Sequence, residues 1–152
     1  MPADKATAEP AATDERRYLW ACDHELSLII VEDDDNDLKI ICHYLRSINP
    51  DFDLRIARTA AEGLAMQHEL PADCVLLDYY LPDQNANAVL EELSAMDRST
   101  AVVVLSGTNQ FDVLAHVLAL GATDYLFKAQ LDVRSVREVI NKSVLRATQP
   151  LR

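Results

Sequence analysis

Five short apolar runs, alternating with stretches of helical periodicity, organise this chain of 152 residues. LSLIIV (26–31), CVLLD (74–78), VVVL (102–105) and DYLF (124–127) are near-continuous apolar runs, as expected of strands covered on both faces. FDLRIA (52–57) is a shorter, more mixed strand. Between the first two strands, Leu38, Ile41, Cys42 and Leu45 recur at helical spacing until Asn49-Pro50 breaks the pattern. Thr59, with Glu62 three residues on, carries the capping-box signature of a second helix that holds Leu64, Ala65 and Met66 and ends by Pro71. Val89, Leu90, Leu93 and Met96 predict a third helix. Phe111, Leu114, Val117 and Leu118 predict a fourth, with Gly121 as its C′ residue. Asp132 caps a fifth, on which Val133, Val136, Val139, Ile140 and Val144 share one face. Strand and helix alternate throughout, which predicts an α/β fold: a five-stranded parallel sheet with helices on both faces, joined by right-handed crossovers.

Composition narrows the picture. An apolar fraction of 49% and a charged fraction of 26% are those of an ordinary globular chain, long enough for one domain with a real core. The net charge of −11 argues against direct binding to a nucleic-acid backbone, which needs clustered cations. Residues 1–17 contain no apolar side chain larger than Met1, so residues 1–25 are expected to form a mostly disordered arm. Tyr18, Leu19 and Trp20 in that arm either pack on the domain or present a contact patch. The folded domain is expected over 26–148, with a short tail at 149–152. Cys22, Cys42 and Cys74 form no C-x-x-C pair and are expected as reduced thiols. The N-terminus has no secretory pattern and no run is long enough for a membrane span, so the expected location is cytoplasmic, without membrane contact.

Candidate chemistry gathers at the strand ends. Glu32 and Asp33, Asp78, Ser106 and Lys128 each follow or close an apolar run. In a parallel sheet those C-termini open on one edge, where such folds hold ligands. The five residues therefore compose a candidate site for phosphate and metal. Asp34, Asp35 and Asp37 read as a solvated turn or helix start, since carboxylates favour helix N-termini. An EF-hand reading of Asp33, Asp35 and Asp37 fails: Leu38 replaces the required glycine and Tyr44 the bidentate acid. His24, His43, His68 and His116 share no spacing with one another, and the basic last helix reads as a solubilised face.

With those residues in place, the chain resembles the receiver domain of bacterial two-component response regulators, from about Leu26 to Leu145. IIVEDD (29–34), LLDYYLPD (76–83), VVVLSG (102–107) and GATDYLFK (121–128) carry the resemblance. The intervals fit as well: 45 residues from Asp33 to Asp78, 28 to Ser106 and 22 to Lys128. The resemblance implies the flavodoxin-like strand order 2-1-3-4-5. It implies Asp78 as phosphoacceptor, taking a phosphoryl group from a histidine kinase or phosphotransfer protein. It implies Mg²⁺ as cofactor, held by Asp33, Asp78 and the Tyr80 backbone carbonyl, with Glu32 acting largely through water. A divalent cation together with Lys128 would neutralise the three carboxylates, and oxygen ligands suit Mg²⁺. Lys128 and Ser106 would hold phosphoryl oxygens, and Ser106 with Tyr125 would form the switch that alters a partner-binding face. Tyr80 and Thr108 flank the expected path of hydrolytic water and would tune dephosphorylation.

Two positions depart from the family pattern. Ala86 stands where a glycine is usual, which is expected to alter the loop before the third helix, and Ala129 replaces a proline after the lysine. With no further domain expected after Leu145, the leading reading is a stand-alone receiver, not an enzyme on external substrates, that relays phosphate or regulates an unnamed protein; a homodimer is compatible with it. The alternative is a phosphorylation-independent adaptor. A phosphatase of the haloacid dehalogenase class would need an acid at position 80, where Tyr80 stands.

Overall fold

A computed structural model describes residues 21–96, 99–107 and 110–148. Five parallel strands, β1 (Ser27–Val31), β2 (Asp53–Ala57), β3 (Cys74–Asp78), β4 (Ala101–Ser106) and β5 (Asp124–Phe127), form one sheet of order β2-β1-β3-β4-β5. The flavodoxin-like order expected from the resemblance is the order observed. Helices α1 (Asp35–Ile48), α2 (Ala60–Glu69), α3 (Ala86–Met96), α4 (Phe111–Ala119) and α5 (Val133–Thr148) cover its two faces.

Alternation along the strands splits the core in two. Leu28, Ile30, Leu76, Val103 and Leu105 point toward α1 and α5, meeting Leu38, Ile41, Leu45, Val136 and Ile140. Ile29, Val31, Val75, Leu77 and Val104 point to the other face, meeting Ala60, Val89, Leu90, Leu93 and Val117. Each of these strand side chains is thus removed from water on one face or the other, worth roughly 1.5–3 kcal/mol for a fully buried aliphatic side chain.

Local signals set the helix ends. Thr59 Oγ1 accepts the Glu62 N–H at 3.2 Å, while the Glu62 carboxylate reaches back to the Arg58 N–H at 2.9 Å, one residue earlier than a standard capping box. Asp132 accepts the Ser135 N–H at 2.6 Å, starting α5. Gly121 has φ of +113° and closes α4: its N–H donates to Leu118 and the Ala122 N–H donates to Val117, the Schellman pattern. A side chain there would also strike Ser94. At the Ala86 departure, α3 simply begins, capped by the Asn85 carboxamide on the Ala88 N–H at 3.0 Å. Among the described residues only glycine has positive φ, so alanine is accommodated at position 86 without strain.

Three features differ from the periodicity. Phe111 is 80% exposed and Leu118 42% exposed, so α4 buries only Leu114 and Val117. Val133 and Met96 are also exposed, each at the outer edge of its helical stripe. Polar Asn141 and Ser143 are buried within α5 instead. Asn141 Oδ1 accepts the Cys22 N–H at 2.7 Å, and Asn49 Nδ2 donates to the Cys22 and His24 carbonyls. Residues 21–24 are therefore strapped across α1 and α5, further locked by Arg137–Asp23 at 3.2 Å. Tyr18, Leu19 and Trp20, like residues 1–17, lie outside the described residues. Cys22, Cys42 and Cys74 are all free, and burial pushes the Cys22 thiol up to about 12, so it stays protonated.

Candidate functional site: an acidic edge around Lys128

Strand register brings the predicted residues together. Val31 pairs with Leu77, Asp78 with Leu105 and Ser106 with Phe127. Glu32 and Lys128, each one residue beyond its strand, therefore arrive at the same C-terminal edge as Asp78 and Ser106. Asp78 and Ser106 are buried at the last positions of β3 and β4, and Glu32 is fully buried. Lys128 opens a 3₁₀ turn, Lys128–Gln130, that the sequence did not signal. The described peptide bonds around it are trans, which suits alanine at position 129.

Lys128 Nζ lies 3.0 Å from Glu32 Oε2, 3.2 Å from Asp78 Oδ1 and 2.8 Å from Asp37 Oδ2. Burial alone would lower the lysine's pKa, but the bonds to Asp37 and Glu32 and the charge of Asp78 outweigh it and hold the ammonium above its ordinary value. Burial pushes Glu32 up to about 7, against hydrogen bonds from the Asp34 N–H and Lys128, and the neighbouring Asp78 charge adds to the rise.

Glu32, Asp33 and Asp78 each offer a carboxylate oxygen within 4.8 Å of the others. Such an all-oxygen cluster can coordinate a divalent cation of the Mg²⁺ type. Glu32 Oε2 supports the fit: it is buried, and with the Lys128 ammonium 3.0 Å away it keeps lone-pair capacity to offer a cation. Tyr80 is 67% exposed, its ring edge-on to Tyr79 at 4.8 Å, and its N–H donates to Asp78 Oδ1 at 3.3 Å. Tyr125 is half-buried, its ring 5.4 Å from Phe127. Thr108 lies outside the described residues.

Two acids play parts that the sequence did not suggest. Asp34 is the expected helix start, accepting the Asp37 N–H at 2.9 Å, and Asp35 pairs with Arg58. Asp37 also stands in the first turn of this helix, as expected, but its carboxylate additionally binds Lys128. Asp83, which the sequence shows only as the end of LLDYYLPD, accepts the Ala60 and Ala61 N–H groups at 2.9 and 3.1 Å, and those bonds hold its carboxyl below the usual range. It ties the loop after Asp78 to the N-terminus of α2. Only tertiary proximity reveals either role; a lone Asp at a helix start or turn carries no such signal.

A doubly wound parallel sheet with an acidic, lysine-anchored edge is the arrangement of a class of phosphoacceptor domain. The response regulator receiver domain model matches residues 28–141, and the chain belongs to that family. It is 36% identical over 104 residues to the transcriptional regulatory protein MalR of Bacillus subtilis, covering 68% of this chain and 44% of MalR. It is 32% identical over 102 residues to the photosynthetic apparatus regulatory protein RegA of Cereibacter sphaeroides, covering 67% of this chain and 54% of RegA. The chain thus spans about half the length of these curated relatives. Among solved structures, a CheY-like receiver domain protein from Methanospirillum hungatei superposes with a TM-score of 0.72 at 24% identity, covering 82% of this chain and 97% of that one. A CheX-CheY-BeF₃-Mg²⁺ complex from Borrelia burgdorferi superposes at 0.68 and 21% identity, covering 76% and 86%. No helix among the described residues is long and apolar enough to cross a membrane.

Proposed function

We propose that Asp78 accepts a phosphoryl group from a phosphohistidine on a histidine kinase or phosphotransfer protein, and that the resulting charge switches partner binding or is passed on. An Asp78 carboxylate oxygen bonds to phosphorus as the bond from phosphorus to the donor imidazole nitrogen breaks, leaving the electron pair on that nitrogen. Such transfer needs positioning and charge neutralisation more than covalent help. Lys128 is the counter-charge, already 3.2 Å from Asp78, and this contact is the observation that carries the reading. Ser106, at the end of the adjacent strand, offers a hydroxyl to a second phosphoryl oxygen. Glu32, Asp33, Asp78 and the Tyr80 carbonyl would hold Mg²⁺, which supplies further neutralisation of phosphoryl charge when bound.

The switch follows from burial. Drawing Ser106 toward the phosphoryl group opens space that half-buried Tyr125 turns to fill, which changes the face made by β5 and its flanking helices. The partner reading that face is a protein. The folded receiver spans residues 26–148 in this reading.

Phosphoramidate with Mg²⁺ should add the mass of one phosphoryl group to the chain, and EDTA should prevent it. No gain under any Mg²⁺ concentration would make the chain a phosphorylation-independent adaptor instead.

Tyr80 and Thr108 would set how long the phosphoryl group survives. The exposed Tyr80 ring stands two residues past the acceptor, where it screens the approach of hydrolytic water. Tyr80→Asn should shorten the phosphoryl half-life severalfold, read by loss of label after removal of the donor. An unchanged half-life would rule the screening role out.

A further inference from the structure

We propose that Asp37 is a positioning residue that holds Lys128 back from the phosphoryl group and so limits how tightly the site takes that group up. The proposal rests on the receiver reading above. An ammonium has three N–H donors, and three carboxylates lie within 3.2 Å of Lys128 Nζ. The shortest contact, 2.8 Å, goes to Asp37, which stands outside the metal-capable cluster of Glu32, Asp33 and Asp78.

Asp37 is placed for this by α1. The Asp34 side chain fixes the Asp37 N–H in the first helical turn. From there its carboxylate meets Lys128 directly, beside a small cavity that both line together with Glu32, Ile40, Ile41, Leu105 and Leu131. Apolar walls on that side weaken solvent screening of the pair. The Asp37 side chain is nonetheless 38% exposed, so the pair stays accessible to exchange.

The charge count gives the direction. A dication and Lys128 neutralise Glu32, Asp33 and Asp78; Asp37 then adds one negative charge that nothing in the cluster offsets. A phosphoryl group arriving on Asp78 must recruit an N–H and positive charge from Lys128, and Asp37 competes for both. Glu32 still anchors the lysine if Asp37 is neutralised, so the competition is lost while the lysine's place is kept.

Beryllofluoride, a phosphoryl mimic, tests this at equilibrium. Each protein is titrated at saturating Mg²⁺ and followed by backbone amide NMR shifts. Asp37→Asn, which keeps size and removes charge, should lower the half-saturating concentration about fivefold, the effect of one partly exposed ion pair. Asp37→Glu restores the charge and should return the wild-type value, which a merely structural role would not do. Wild-type saturation with an unchanged or raised value in Asp37→Asn overturns this inference and leaves the receiver reading intact. The same holds if Asp37→Glu behaves like Asp37→Asn. A wild type that never saturates overturns the inference and the receiver reading together.

Discussion

Asp78→Asn should hold phosphoramidate labelling at background, a loss on the order of a thousandfold or more, because positioning and electrostatics supply nearly all the acceleration of phosphoryl transfer. The carboxamide keeps the shape of the side chain at the end of β3 but offers no anionic oxygen to attack phosphorus. Three of the acids around it are otherwise committed. Glu32 is fully buried with its pKa raised, and it lies a strand away, just past the end of β1. Asp37 is spent on Lys128, and Asp83 is committed to two N–H groups of α2. Mass spectrometry of intact protein, with wild type beside the variant, reads the result. Label persisting in Asp78→Asn at the wild-type rate would move the acceptor elsewhere on the edge.

The fold was legible wherever its determinants were local. The apolar density of CVLLD and VVVL marks strands covered on both faces, and the structure buries every residue of β3 and β4. Thr59, Asp132 and Gly121 end or begin helices through bonds spanning five residues or fewer, so their signatures survive without tertiary knowledge. What escaped depends on neighbours distant in sequence. Periodicity puts Phe111 and Leu118 on one arc with Leu114 and Val117, yet α4 is short and meets the sheet through only part of that arc. Asn141 looks like a surface residue of α5 until Cys22, 119 residues away, is seen to donate to it.

The site divides along the same line. Glu32, Asp33, Asp78, Ser106 and Lys128 were recoverable because a parallel sheet converts strand order into shared position: each end arrives at one edge. Asp37 sits in a run of acids that suits a helix N-terminus equally well, and nothing in that run singles out which one turns inward. Asp83 is similar. Its partners are the first N–H groups of α2, and helix N-termini accept any nearby carboxylate. The intervals that single out Asp78 and Lys128 therefore say little about the side chains that position them.

Glu32→Gln should stabilise the metal-free protein at pH 8 and leave it unchanged near pH 4.5, a difference on the order of 3 kcal/mol. The Glu32 carboxyl is raised from 4.5 in the ordinary state to about 7, first by burial and further by Asp78. A carboxyl raised on folding adds stability that is fully present below its unfolded pKa and is lost as pH rises through the folded one. The window is therefore about pH 4.5 to 7. Above it, wild type must keep an anion that the fold disfavours, whereas glutamine stays neutral and still offers an oxygen to the Asp34 N–H, which Glu32 accepts at 3.1 Å. Urea unfolding with EDTA at both pH values measures the gap; an equal gap at both would contradict the raised carboxyl. Saturating Mg²⁺ at pH 8 should narrow it, because a cation bound only by the folded state adds stability by mass action and favours the ionised carboxylate. Buried acids that weaken the empty fold thus make it more responsive to cation and phosphoryl charge, which is the property a charge-driven switch requires.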